Sequence, residues 1–230
     1  MKLELIIPTN LSEIPLKAYQ KFIKLSEENT DEDFLAQKMI EVFCGIELIE
    51  VAKIPYNQTV ELVQGFHKVF EQKPDFKPRF FIQDKEFGFI PDLENISIGE
   101  FADLQNNINS IDTFHKAMAV LYRPITRESL GKYEIELYEG SASYSEVMEI
   151  MPLDVTLGAM LFFCDLINDL SKGLADFLET ETKKLMNLAN GHNLQSDGVG
   201  TLASINLLKE TLTNLNMKSQ NFQLPLLSRY

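Results

Sequence analysis

The spacing of apolar residues is the feature that most constrains this chain of 230 residues. Over most of its length they recur every three or four residues, which is typical of amphipathic helices. The pattern changes at residues 77–91, where two aromatic runs, 79–83 and 86–90, flank Asp84 and Lys85. This arrangement predicts a β-hairpin, although the turn lacks the Asn-Gly or Asp-Gly pair that hairpins prefer.

The helical pattern and its breaks predict where the main elements lie. Asn10 or Ser12 can cap a first helix that has Pro15 in its first turn. An isolated hairpin is only marginally stable, so we expect further strands from residues 2–7 or 133–138. The other predicted helices cover residues 34–48, 56–70, 97–105, 113–122 and 153–188.

Two stretches of the chain share one pattern of apolar residues. Residues 11–25 read LSEIPLKAYQKFIKL, and residues 93–107 read LENISIGEFADLQNN. A second amphipathic segment follows each stretch, which suggests an internal repeat of residues 11–48 and 93–126. Either a duplication or shared helical patterning explains the matches. The matched pairs are Leu11 and Leu93, Ile14 and Ile96, Leu16 and Ile98, Tyr19 and Phe101, and Phe22 and Leu104.

These patterns together predict an α+β fold that is mostly helical. Two related helical pairs surround a small antiparallel sheet, and one long helix backs them. We expect residues 1–188 to form a globular domain. Residues 189–230 are expected to form a flexible loop, a short helix and an extended C-terminal interaction tail.

Charge and cysteine content exclude several classes of protein. The net charge of −13 argues against broad nucleic-acid binding and against binding to anionic membranes. Cys44 and Cys164 lie in apolar helical patterns, which predicts buried free thiols in preference to a disulfide or a metal site. The most apolar segment, residues 155–167, is too short to span a bilayer. We therefore expect a protein of cytoplasmic origin without a membrane segment.

The chain contains no pattern that predicts catalysis. It lacks the glycine-rich phosphate-binding motifs and the sequence context of a serine or cysteine nucleophile. His67, His115 and His192 are far apart and lack ligand partners at metal-site spacing. We expect no catalytic residue, no cofactor and no metal site, and an enzyme acting on small molecules is the least favoured class.

The C-terminal segment is the predicted partner-binding site. Residues 202–215 fit a short amphipathic helix with Ile205, Leu208, Leu212 and Leu215 aligned. Such a segment either closes the core of its own protomer or docks on a neighbouring subunit or partner, and we favour docking. The predicted partner-binding residues are Leu208, Leu212, Phe222, Leu224, Leu226, Leu227 and Tyr230.

Three stretches carry a family resemblance. They are GFIPDLENISIGEFADLQ at residues 88–105, HKAMAVLYRPIT at 115–126 and YEIELYEG at 133–140. They resemble proteins encoded by tailed bacteriophages, including crAss-like phages and other phages of Bacteroidetes or marine bacteria. The leucine-rich entry before each helical pair is similar to phage tail assembly chaperones. The resemblance covers about residues 11–140, and its motifs are packing patterns without catalytic residues.

The resemblance implies a role in virion construction. The expected function is that of a non-enzymatic virion structural protein, which assembles as an oligomer in the tail or head–tail connector region. The alternative is a cytoplasmic tail assembly chaperone that binds a hydrophobic tail protein. The expected partners are other virion proteins and further copies of this chain, without direct contact to nucleic acid or membrane. The expected location is the virion, and the host cytoplasm during assembly.

Overall fold

The structure is a computed structural model that describes residues 5–93, 95–108, 110–163, 165–166, 176, 180 and 183. It confirms a mostly helical α+β fold with a small four-stranded antiparallel sheet. Two compact units are present. The first contains the described residues up to Ala159, and the second contains those from Met160 onward.

The first part of the chain forms a helical layer around an aromatic core. Its helices are α1 (Leu16–Glu28), α2 (Glu32–Cys44), α3 (Leu48–Val51) and α4 (Tyr56–Phe70). Their apolar faces meet in a cluster of rings whose centroids lie 5.2 to 6.1 Å apart. Such tilted contacts add specificity to apolar burial. The rings belong to Tyr19, Phe22, Phe43, Phe66 and Phe70.

The sheet is an antiparallel meander of four strands in sequence order. Its strands are β1 (Arg79–Ile82), β2 (Lys85–Phe89), β3 (Tyr122–Ser129) and β4 (Lys132–Ile135). Alternate residues of each strand point to the same side of the sheet. The aromatic residues on one side are packed together, and they bury that face. The rings packed on that face include Phe80, Phe87, Phe89 and Tyr122, with centroids 5.2 to 5.7 Å apart.

Two further helices, α5 (Ile98–Asn107) and α6 (Phe114–Leu121), connect β2 to β3. After β4 come α7 (Ser145–Met148) and α8, whose described helical residues begin at 153; residues 153–159 of α8 belong to the first unit and residues 160–163 to the second. Most of α6 is buried, and it leads directly into β3. Consequently α6 fixes the position of β3 in the middle of the sheet.

Several predicted boundaries are corrected by the structure. The predicted helix 34–48 ends at Cys44, because Gly45 adopts a left-handed conformation with φ 65°, and α3 follows as a separate turn. Of the predicted strand at residues 2–7, the structure describes residues 5–7. These residues form no strand, so the prediction is wrong there. The third strand is β3 instead, which begins at Tyr122, the last residue of the predicted helix 113–122.

The hairpin is confirmed, but its turn lies one residue earlier than predicted. The two loop residues are Gln83 and Asp84, and Gln83 has φ 54°. The predicted strand 133–138 ends at Ile135. Cys44 is half-buried and free, where the sequence predicted a buried thiol.

Close backbone contacts join the beginning of α1 to the beginning of α8. The N–H of Leu16 donates to Met151 O, and the N–H of Leu153 donates to Ile14 O, each at 2.9 Å. Gly158 lets a loop approach closely, since a Cβ at that position would lie 2.4 Å from Asp75 O. These contacts hold the N-terminal end of α8, residues 153–158, within the first unit.

The predicted long helix 153–188 lies only partly within the described residues. In the second unit, residues 160–163, 165–166, 176, 180 and 183 are helical. Thr180 Oγ1 donates to Asp176 O at 2.9 Å. The predicted C-terminal segment, residues 189–230, lies outside the described residues.

Candidate functional site: an open groove between two helices

An open groove runs between α2 and α4, with a volume of about 560 Å³. From α2 it is lined by Asp33, Ala36 and Gln37, whose spacing places them on one helix face. Val51 and Ile54, from α3 and the turn after it, also contribute apolar lining. The groove is therefore built from three consecutive elements of the helical layer.

The second wall is formed by a row of apolar residues on α4 that the core does not use. Phe66 and Phe70 are buried in the aromatic core. Tyr56, Val60 and Val63 form another row, spaced four and three residues apart, and line the groove. Tyr56 is 78% exposed and Val60 is 38% exposed. The apolar stripe of α4 is thus wider than the part that the core covers, and its Tyr56–Val60–Val63 side remains open.

The polar groups of the groove favour recognition over reaction. Gln37, Thr59 and Gln64 supply uncharged hydrogen-bonding groups, while Asp33 supplies a carboxylate and His67 an imidazole. In the part of the chain that the structure describes, no three His, Cys, Asp or Glu residues are grouped to hold a metal ion. An open groove whose walls are two helices with apolar residues is the kind of surface that can receive a helical polypeptide segment.

The groove lies in an acidic part of the surface. Residues 32–70, which contain all three elements of its walls, include six carboxylates and three lysines, hence a net charge of −3. Lys38 pairs with Glu41 at 2.6 Å, and Lys53 pairs with Glu50 at 2.5 Å. Asp33 lies on the groove wall itself. The local field consequently favours a ligand with positive charge.

A separate polar cluster lies where α5 meets β3. Glu100 and Arg123 are 7% and 6% exposed, and their side chains pair at 2.6 Å between Oε1 and Nη2. The ring of Tyr138 covers the guanidinium at 5.4 Å, and its hydroxyl donates to Asp103 Oδ2 at 2.5 Å. Because the tyrosine covers the ion pair, we interpret the cluster as an attachment of α5 to the sheet.

The charge states within this cluster follow from its contacts. Burial raises the pKa of Glu100, but hydrogen bonds from Ser97 and the Arg123 guanidinium outweigh burial and hold that pKa below its usual value. Hydrogen bonds from Tyr138 and Ser141 lower the pKa of Asp103. Both carboxylates therefore remain ionised near neutral pH, and burial together with the hydrogen bond to Asp103 raises the pKa of Tyr138, so its hydroxyl keeps its proton.

A third group of charges lies on the exposed side of the sheet. The Arg79 guanidinium contacts Glu86 and Glu128, with distances of 2.8 to 3.1 Å. Hydrogen bonds to Glu128 and then Glu86 raise the pKa of Arg79. The ring of Tyr133 lies 5.4 Å from the same guanidinium. These contacts join β1, β2, β3 and β4 across one face of the sheet.

The two histidines predicted on helices occupy different environments. His115 of α6 lies 3.1 Å from Gln20 Nε2, which also contacts Ile111 O. Burial lowers the pKa of His115, so its neutral form is favoured. His67 lines the groove. His115 therefore contributes to the packing of α6 against α1.

The residues predicted to bind a partner all lie in the C-terminal segment, outside the described residues. The groove itself was not predicted. The only signal for it in the sequence was the width of the apolar stripe on α4, which extends from Phe66 and Phe70 to Tyr56, Val60 and Val63.

Comparison with protein-family models, curated proteins and solved structures finds no match to this chain. Among the helical residues that the structure describes, none belong to a stretch long and apolar enough to cross a membrane. The groove geometry and the sequence pattern are therefore the basis for a functional proposal.

Proposed function

We propose that this chain is a non-enzymatic protein of a tailed bacteriophage virion, which assembles as an oligomer in the tail or head–tail connector region. The observation that supports this proposal is the open apolar groove between α2 and α4. A surface of this kind serves protein–protein contacts, where a helix lays its apolar face between two others. The phage role itself comes from the resemblance of residues 88–105, 115–126 and 133–140.

Burial of the groove explains why an oligomer would form. Apolar area removed from water contributes about 25 cal/mol per Å², before the costs of association are subtracted. Tyr56 and Val60 are exposed at the groove and are the largest contributors available there. The expected partners are other virion proteins and further copies of this chain, in the virion and in the host cytoplasm during assembly.

The alternative is a tail assembly chaperone that leaves before the particle is complete. The same groove favours it, because an open apolar surface with few fixed polar groups accepts clients of different sequence. The two roles share the binding surface and differ in where the protein is found at the end of assembly.

Quantitative mass spectrometry of purified particles from the phage that encodes the chain tests this proposal. A structural protein is present in stoichiometric amount relative to the other tail or connector proteins. Absence from finished particles, together with binding to a tail protein in infected cells, would favour the chaperone.

A pair of variants tests the groove in the same experiment. Val60→Glu places a charge in the groove, whereas Gln58→Glu places the same charge on α4 outside the groove lining. We expect Val60→Glu to reduce incorporation at least tenfold and Gln58→Glu to leave it unchanged. Equal incorporation of both variants would contradict a role for the groove.

A further inference from the structure

We propose that the groove between α2 and α4 receives residues 202–215 of a second copy of this chain. This inference rests on the proposed function, because it names the partner of the same binding surface. The sequence pattern of residues 202–215 predicts a short helix with one apolar face. The groove offers two helices between which such a face fits.

The length of the apolar row agrees with the length of the groove. On α4 the lining extends from Tyr56 to His67, which corresponds to about 17 Å at 1.5 Å per residue. The apolar row of the segment runs from Ile205 to Leu215, which would span about 15 Å as a helix. All four of its apolar residues can therefore face the groove at once.

The residues that follow the docking segment are complementary in charge to the groove walls. Residues 202–215 contain Lys209 and Glu210 and have a net charge of zero, whereas residues 216–230 contain Lys218 and Arg229 and no acidic residue, which gives a net charge of +2. Residues 32–70, which include the groove walls, have a net charge of −3. The basic residues that follow the docked segment would thus be attracted to this part of the surface, and more strongly at low salt.

Docking between copies would have a defined symmetry. The groove and the segment are different surfaces, so the contact is head-to-tail. Such contacts close into a ring when the rotation allows and otherwise continue as a filament. Either assembly is compatible with a position in a tail or a connector.

Two complementary variants of the full chain test this inference. Val60→Glu disables the groove and keeps the segment, whereas Leu208→Glu with Leu212→Glu disables the segment and keeps the groove. Light scattering coupled to size exclusion measures the mass of each sample. We expect the unsubstituted chain to form oligomers, and each variant alone to be monomeric. An equimolar mixture of the two should form a one-to-one dimer, because one intact groove and one intact segment remain.

Controls separate a lost contact from a lost fold. Gln58→Glu carries the same added charge and should keep the oligomer, with a dissociation constant within twofold of the unsubstituted chain. For Val60→Glu we expect that constant to rise at least tenfold. The circular dichroism of each variant should match that of the unsubstituted chain, and so should urea unfolding at a protein concentration low enough for the unsubstituted chain to be monomeric, where assembly adds no stability.

Each other outcome overturns the inference in a different way. A monomeric unsubstituted chain, or a mixture that forms no dimer, shows that the groove does not bind a second copy. If in that case Val60→Glu nevertheless removes the protein from particles, the groove binds another protein. Only this inference then fails, and the proposed function stands. If Val60→Glu changes neither the mass nor the incorporation into particles, the proposed binding role of the groove fails as well.

Discussion

Helices α1 and α5 begin with matching apolar residues, yet they bury different kinds of side chain. Leu16 and Tyr19 of α1 are 0% and 2% exposed. The matched residues of α5, Ile98 and Phe101, are 89% and 54% exposed. The buried residue of α5 is Glu100, which pairs with the sheet.

This difference shows how far a periodic pattern constrains a fold. The pattern predicts that a segment forms an amphipathic helix, but the neighbouring elements decide which face they cover. Apolar contacts attach α1 to the helical layer, whereas a buried ion pair attaches α5 to β3. That the two stretches arose by duplication remains a prediction, and their matched residues do not have the same role.

The largest effect is expected at the ion pair of α5. Glu100→Gln leaves the Arg123 guanidinium buried without a carboxylate, and breaking such a pair costs about 3–5 kcal/mol. The free energy of unfolding in urea measures this loss. Glu50→Gln is the matched control, because Glu50 pairs with Lys53 at the surface, where a pair contributes at most about 1 kcal/mol.

A double substitution sharpens the same test. Glu100→Leu combined with Arg123→Met removes both charges and should regain most of the stability lost in the single variant. If Glu100→Gln costs no more than Glu50→Gln, the ion pair does not attach α5 to the sheet.

The matched apolar positions give the second largest effect. Leu16→Ala creates a cavity in a packed core and should cost about 2–5 kcal/mol. Ile98→Ala, at the matched position of α5, should change stability by no more than about 0.5 kcal/mol, because the side chain is exposed. Urea unfolding of the two variants compares them directly. Similar losses would mean that another surface covers Ile98 in solution.

Much of the fold follows from local sequence signals. The bounds of α4 agree with the prediction, since residues 56–70 carry a strong helical period after Pro55. The hairpin was predicted from its aromatic alternation. Strand β3 was missed because Arg127, Glu128 and Ser129 are polar and lie at its exposed end. Its pairing with β2 and β4, which no local pattern records, makes it a strand.

The candidate site was less predictable than the fold. A groove depends on the distance between α2 and α4, and that distance is set by tertiary packing. The row of Tyr56, Val60 and Val63 was visible in the sequence as apolar residues on α4. Nothing local distinguishes it from the core row of Phe66 and Phe70, because both consist of apolar residues at helical spacing.

The smallest expected effect concerns how α1 and α5 begin. Ser97 accepts from the N–H of Glu100, and the Glu100 side chain accepts from the N–H of Ser97, which forms a capping box. Pro15, the N-cap of α1, makes no such bond. Ser97→Ala should therefore cost about 1 kcal/mol in urea unfolding.

Ser110 provides the matched control for this cap. It precedes the short helix Ile111–Thr113 without a side-chain capping bond, so Ser110→Ala should leave stability nearly unchanged. Equal losses in the two variants would show that the serine hydroxyl at position 97 does not act as a cap. A loss at Ser97 well above that of a cap would instead indicate that Ser97 supports the Glu100–Arg123 pair, since its N–H also hydrogen-bonds the Glu100 carboxylate.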